Sequence, residues 1–231
     1  MTLGLAASFA APALAESADV RIAGTAIKLP DRNQMCVIDE TTSSASQYFS
    51  SMAAAQSRMR NVLKVIFVPC AEKAIVEGKQ AGVLSRWTMV FYNATAHKTP
   101  KPHAEFSTAF CNTLPGVLKD QGQAIQKRLD SIGDEILNRD MSVDFKSPFV
   151  LKGNCVIPIE TKAAPIVYGA AATIATAGVW FVIANYTTNK ERQPEIIKNL
   201  IAYLDQTRDA NDATPSGGGN ATGDAQSEAA Q

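Results

Sequence analysis

The run Ile166-Val-Tyr-Gly-Ala-Ala-Ala-Thr-Ile-Ala-Thr-Ala-Gly-Val-Trp-Phe-Val-Ile-Ala-Asn-Tyr186 carries no charged side chain, and its reading decides the fold. About 20 mostly apolar residues suffice for a membrane-spanning helix. Lys190, Arg192 and Lys198 follow where a cytoplasmic flank would carry positive charge. Against an anchor, much of the run is Ala, Gly and Thr, which add little insertion energy, and Trp180 and Tyr186 do not form symmetric interfacial belts. Thr176-Ala-Gly178 sits near the middle, where a hairpin would turn, and Val179-Trp-Phe-Val-Ile183 beyond it is strongly β-forming. The favoured reading is two adjacent antiparallel strands buried at the centre of a sheet. The alternative is a single-pass anchor.

The rest of the chain reads outward from that pair. Downstream, Glu195 to Leu204 is an amphipathic helix with Pro194 in its first turn. From Asp209 to Gln231 no large apolar residue occurs, so this stretch cannot offset its ordering entropy and is expected to be a disordered tail. Upstream, Phe149-Val-Leu151 and Cys155 to Ile159 form a strand region around Gly153-Asn154, a pair suited to a turn or bulge. His103 to about Asn138 reads as helix, interrupted near Leu114-Pro115-Gly116. Arg86 to Tyr92 and Val62 to Val68 are strands, the second apolar on both faces apart from Lys64. Between them, Ala71 to Glu77 makes a short helix stopped by Gly78. A helix spans Ser44 to Arg60, behind the caps offered by Asp39 to Ser44. Val20 to Leu29 and Met35 to Ile38 look like a hairpin about the turn Asp31-Arg-Asn33. The fold class is therefore α+β: a mainly antiparallel sheet with helices on both faces, an α/β/α sandwich, and a C-terminal helix.

A chain of 231 residues with 46% hydrophobic residues can build one good core, and we assign residues 16–208 to a single domain. Residues 1–15 end in Ala13-Leu14-Ala15, which matches the small-residue rule for signal-peptidase cleavage before Glu16. No Lys or Arg precedes the apolar segment, so the start is expected further upstream. The chain is thus expected to be exported, periplasmic or secreted, or held at the inner membrane on the anchor reading. Export sets how the four cysteines are read, because Cys36, Cys70, Cys111 and Cys155 include no Cys-x-x-Cys pair. An even, widely spaced set in an oxidising compartment forms structural bridges. Three connectivities are open, and order along the chain favours Cys36 with Cys70 and Cys111 with Cys155.

Chemistry is sparse. Lys+Arg and Asp+Glu balance at 22 each, which gives no basic field for nucleic acid. His97 and His103 lie near prolines in or beside a polar loop, and their spacing with Cys111 fits no zinc pattern. The acidic pairs Asp39/Glu40 and Asp134/Glu135 read as helix caps and a solvated face. No Gly-x-Ser-x-Gly, Ser-x-x-Lys or phosphate loop occurs, so no catalytic, cofactor or metal residues are assigned. Two functions remain. The first is an exported accessory or binding domain that acts through contacts with an envelope protein partner, with Trp87, Phe91 and Tyr92 as surface candidates if their strand lies at an edge. The second is a thiol-dependent or hydrolytic enzyme built on His103 and Cys111.

The order of elements also resembles a known plan. Ile27-Lys-Leu-Pro30, then Cys36-Val-Ile-Asp39, a helix, Val65 to Cys70, Arg86-Trp87 and a last strand pair leading into Ile196 to Leu200 look like uncharacterised secreted proteins of proteobacteria. Their plan is similar to the α/β/α sandwich of the photosystem II extrinsic subunit PsbP. The resemblance covers Val20 to about Leu204 in layout and implies a non-enzymatic domain that docks on a larger assembly. It carries no catalytic residues to transfer.

Overall fold

The computed structural model describes residues 16–132, 143–161 and 166–212. The signal-peptide segment 1–15, the tail beyond 212 and the helical expectation for 133–138 lie outside these residues.

The opening run is a hairpin. Tyr168–Thr176 and Val179–Thr187 pair antiparallel in unbroken register from Thr176↔Val179 to Tyr168↔Thr187. We number the strands in chain order, so these are β9 and β10. Ala177 and Gly178 turn the chain with φ of 49° and 77°, the left-handed pair that matches the twist of a two-residue hairpin. The anchor alternative is thereby corrected: the run is two strands, and no described helix is long and apolar enough to cross a membrane. The small residues that weakened the membrane reading have a packing cause. A Cβ on Gly169 would stand 2.5 Å from the Asn185 carbonyl oxygen and 2.9 Å from the Tyr186 ring, so only glycine lets the two strands meet there. Ala170, Ala171 and Ala172 are buried beside it.

The hairpin lies at the centre of the main sheet. Earlier strands are β1 (Ala18–Ile22), β2 (Thr25–Leu29), β3 (Met35–Ile38), β4 (Asn61–Pro69), β5 (Arg86–Asn93), β6 (Val143–Phe145), β7 (Phe149–Leu151) and β8 (Asn154–Thr161). Among the described residues the main sheet has eight strands in the order β3-β4-β5-β10-β9-β8-β6, with β7 also paired to β8. Every pairing is antiparallel. The helices are α1 (Ser46–Arg58), the short α2 (Lys73–Val76), α3 (His103–Ile132) and α4 (Gln193–Asp212).

Alternation along the strands sends side chains to two covered faces. On one, Phe67, Val90, Phe181 and Ile183 pack against Leu200, Tyr203 and Leu204 of α4, with Ile22, Ile27 and Leu29 from β1 and β2 closing the same core. On the other, Ile66, Val68 and Met89 meet Phe49 of α1 and Val76 of α2. Further along that face α3 is bonded to the sheet through Cys111–Cys155, and its Phe106 and Phe110 contact Trp180. Burying one large side chain such as Phe67 or Phe181 contributes about 1.5–3 kcal/mol, so the sandwich is held mainly by these two layers.

Three local expectations are corrected. Val20 to Leu29 is not one arm of a hairpin with Met35–Ile38; it is itself the hairpin β1–β2, turning at Ala23-Gly24 with φ of 48° and 93°. β3 pairs with β4 instead. The cause is legible in the burial: Val20, Ile22, Ile27 and Leu29 alternate inward on both halves, which a single strand through Ala23-Gly24 could not satisfy. Second, α3 runs unbroken through Pro115. Proline withholds one N–H from the helix ladder, and here the carbonyl concerned belongs to Cys111, whose side chain is tied to β8. Third, α4 continues to Asp212, past the expected domain end at 208. Asn211 exchanges hydrogen bonds with the Lys28 backbone at 2.8 Å, and Thr176 Oγ1 donates to Asp212 at 2.5 Å, so tertiary contacts hold the last turn.

Candidate functional site

The residues singled out in the sequence are placed first. Cys36 is bonded to Cys70 and Cys111 to Cys155. Two bridges point to an oxidising, extracytoplasmic compartment. With its sulfur in a bond, Cys111 is not a thiol, and a His103–Cys111 enzyme has no nucleophile. β5 lies between β4 and β10 rather than at an edge. Trp87 stacks on Tyr186 at 5.2 Å, and Phe91 packs within the sandwich. His97 packs edge-on to Tyr92 at 5.6 Å and its Nδ1 lies 3.3 Å from the Asn93 carbonyl oxygen. No cluster of metal-ligating side chains occurs among the described residues.

His103 is a buried corner post. The Ala175 N–H donates to its Nδ1 at 3.1 Å, and its Nε2 lies 2.8 Å from Asn154 Oδ1. These partners assign the proton to Nε2, which donates to Asn154. The Asn154 amide then donates to the Lys152 carbonyl at 3.0 Å and holds the turn into β8. β8 pairs with β9 only as far as Val156↔Ala172, so the imidazole accepts the N–H that the sheet leaves open beyond that point. Burial pushes the His103 pKa below its usual value, and the Asn154 hydrogen bond opposes that shift. Both ring nitrogens are used, and nothing is left over for chemistry.

The opposite situation holds around Arg32. The segment after Leu29 is fixed on several sides: Tyr203 Oη donates to the Pro30 carbonyl at 3.0 Å, the Met35 N–H to the Arg32 carbonyl at 2.7 Å, and the Cys70 N–H to the Gln34 carbonyl at 2.9 Å. Gln34 has φ of 60°, and the Cys36–Cys70 bridge clamps the strand that follows. This turn sends the Arg32 side chain inward. Its guanidinium carbon lies 4.2 Å from the Tyr203 ring centroid and 5.8 Å from that of Phe67, and its Nη1 donates to Asn185 Oδ1 at 3.1 Å. The same Asn185 oxygen accepts from Thr88 Oγ1 at 2.7 Å.

All of these partners are neutral. No carboxylate makes an ion pair with Arg32 among the described residues. Desolvation lowers its pKa to about 10, and the positive charge of Arg86 acts in the same direction while Tyr203 opposes it. The group is still charged at neutral pH. Guanidinium carries five N–H donors, and the described residues answer one of them by a hydrogen bond. Asn185 is 4% exposed, and its Nδ2 donates to no described residue.

These donors border a cavity of about 510 Å³ between the Asp31–Met35 turn, the face of α4 from Glu195 to Gln206, and the adjoining ends of β5 and β10. That size suits a small-molecule site. Arg86, Arg192, Glu195, Asn199 and Gln206 complete its charged and polar wall. Arg192 is engaged by Glu195 at 3.3 Å, whereas Arg86 has no ion pair among the described residues. The arrangement is a solvent-open hollow with three arginines and two carboxylates on its wall, suited to hold an anion.

Sequence reasoning missed this site. In the sequence Arg32 belongs to a turn cluster and Arg86 to the start of a strand, and neither position signals a site. One signal was available in Asn185, an amide inside a run otherwise made for a buried strand, which in the folded chain needs a polar partner.

No protein-family model matches the chain, and no curated protein matches it. Among solved structures, that of a cyanobacterial PsbP (CyanoP) from Synechocystis sp. PCC 6803 is similar over 90% of this chain and 96% of that chain, with 10% sequence identity and a TM-score of 0.35. At that distance the likeness is one of general layout and transfers no function.

Proposed function

We propose that this chain is an exported binding domain, periplasmic or secreted, that holds a small anion in the Arg32 cavity. The observation that carries the reading is a half-buried guanidinium whose partners among the described residues are all neutral, beside a second arginine with no ion pair among those residues, on the wall of one cavity. Even partial burial of a charge away from a counter-charge is unfavourable. Stacking on Tyr203 and the Asn185 hydrogen bond offset part of that cost, and an anionic ligand would supply the rest. Export is supported by the cleavage-like Ala13-Leu14-Ala15 and by the two disulfides. An accessory role toward an envelope protein partner fits the same reading, with the bound anion as what the domain presents or senses.

The test is thermal unfolding of the oxidised chain against a panel of anions at fixed ionic strength. A ligand at 100 times its Kd stabilises by about 2.7 kcal/mol. Acetate, phosphate and glucuronate are the first probes, and at least one should raise Tm in the native protein and fail to do so in Arg32→Met. A flat response to all of them at millimolar concentration would remove the proposal.

A further inference from the structure

Resting on the anion-site reading and narrowing it, we infer that the ligand is a small hydroxylated monocarboxylate, of the sugar-acid or hydroxy-acid class. Its carboxylate sits on Arg32 beside Arg86, and its hydroxyls meet the amide wall.

Charge sets the first constraint. Arg32, Arg86 and Arg192 face Asp31 and Glu195 around the cavity, which leaves one net positive charge. A monoanion balances it. A phosphate dianion would overfill it and would meet Asp31 and Glu195 with its second charge.

Shape sets the next. The Arg32 guanidinium packs 4.2 Å from the Tyr203 ring centroid and, among the described residues, gives a hydrogen bond only from Nη1, so the rest of its planar N–H fork is left for a ligand in the cavity. A planar carboxylate accepts two such N–H groups side by side. A tetrahedral oxyanion is better served by donors converging from several directions, such as backbone N–H groups of a glycine-rich loop. No glycine lines this cavity.

The rest of the wall selects what is attached to the carboxylate. Asn33, Gln34, Asn199 and Gln206 each bring an adjacent donor and acceptor, and Asn185 Nδ2 donates to no described residue. A sugar hydroxyl both donates and accepts, so vicinal hydroxyls pair with such amides. An aromatic or alkyl acid would strip their water and return no hydrogen bond, at a cost for every amide left unmet.

Isothermal titration calorimetry on the oxidised full chain, with D-glucuronate, acetate, benzoate and inorganic phosphate as probes at low ionic strength, tests the assignment. Glucuronate should bind at least about tenfold more tightly than each of the other three. Arg32→Lys, folded by circular dichroism, should lose about tenfold or more for glucuronate because a lysine cannot offer the paired in-plane donors. Asn199→Ala and Gln206→Ala should weaken glucuronate severalfold and leave acetate unchanged. Phosphate or benzoate binding as tightly as glucuronate, with Arg32 still required, overturns the ligand class while the anion site stands. Absence of Arg32-dependent binding for every probe overturns both.

Discussion

His103 is a buried and Arg32 a half-buried basic side chain, set at a helix start and in a turn, and they end in opposite states. The imidazole of His103 finds a backbone donor on one nitrogen and an amide oxygen on the other, and its burial keeps it neutral. The guanidinium of Arg32 stays charged, has one hydrogen bond among the described residues, to a neutral oxygen, and opens on a cavity. The difference teaches how to tell a structural polar group from a binding one in a chain without a catalytic motif. A group whose capacity is met inside the protein is part of the frame, whereas a group whose donors face a solvent-open hollow is free to meet a ligand there.

The comparison can be broken most forcefully at the two disulfides, since each lies on one side of it. The bridges join cysteines 34 and 44 residues apart, and loops of that length are stabilised by about 4 kcal/mol in the chain-entropy account. Replacing either pair by alanines should cost a similar amount in guanidinium unfolding. Only Cys36→Ala with Cys70→Ala should also weaken anion binding, because that bridge clamps the strand behind the Arg32 turn. Equal loss of binding in the Cys111/Cys155 pair would mean that the two regions are not independent.

The next effect belongs to the imidazole itself. His103→Ala leaves the Ala175 N–H without its acceptor and Asn154 Oδ1 without its donor, and should destabilise by about 3 kcal/mol in urea unfolding without altering anion affinity. A cost below about 1 kcal/mol would show that water replaces the ring freely and that the corner is not a frame element.

Titration separates the two further. Because the folded pKa of His103 is lowered from 6.5, the unfolded chain binds the proton first as pH falls. Its contribution to stability is therefore complete above about pH 6.5, declines by up to about 1.4 kcal/mol per pH unit below that, and levels off beneath the folded pKa. The difference in unfolding free energy between the native chain and His103→Gln, followed from pH 8 downward, should show that decline. A difference that grows on acidification would reverse the assigned sign.

The smallest stability change is expected at Arg32. Arg32→Met removes a half-buried charge and leaves Asn185 Oδ1 still paired with Thr88, so unfolding free energy should move by no more than about 1 kcal/mol, in either direction. Binding should disappear. A loss above about 3 kcal/mol would make Arg32 a frame residue after all.

How much of this was readable before folding depends on the range of the interactions involved. The hairpin at Ala177-Gly178, the strands Asn61–Pro69 and Arg86–Asn93 and the helix beginning at Ser46 are local matters of periodicity, branching and turn chemistry. The hairpin within Ala18–Leu29 is equally local but less legible, because Ala23-Gly24 is a weaker turn signature than the Asp31-Arg-Asn33 cluster that follows it. The continuation of α3 through Pro115 and of α4 to Asp212 ran against or beyond local rules, since a bridge to β8 and contacts with Lys28 and Thr176 maintain them.

By itself the sequence determined that an uncharged run with a turn in its middle would be a pair of central strands, that helices would cover both faces, and that four cysteines were available for bridges. Tertiary structure alone decided that Arg32, Arg86, Asn185 and Tyr203 would share one hollow. Residues 153 positions apart meet in the Arg32–Asn185 hydrogen bond, and no local propensity records such a meeting. The physical reason is that a periodic pattern reports which face of an element is buried, whereas a site depends on which polar groups that burial leaves without partners.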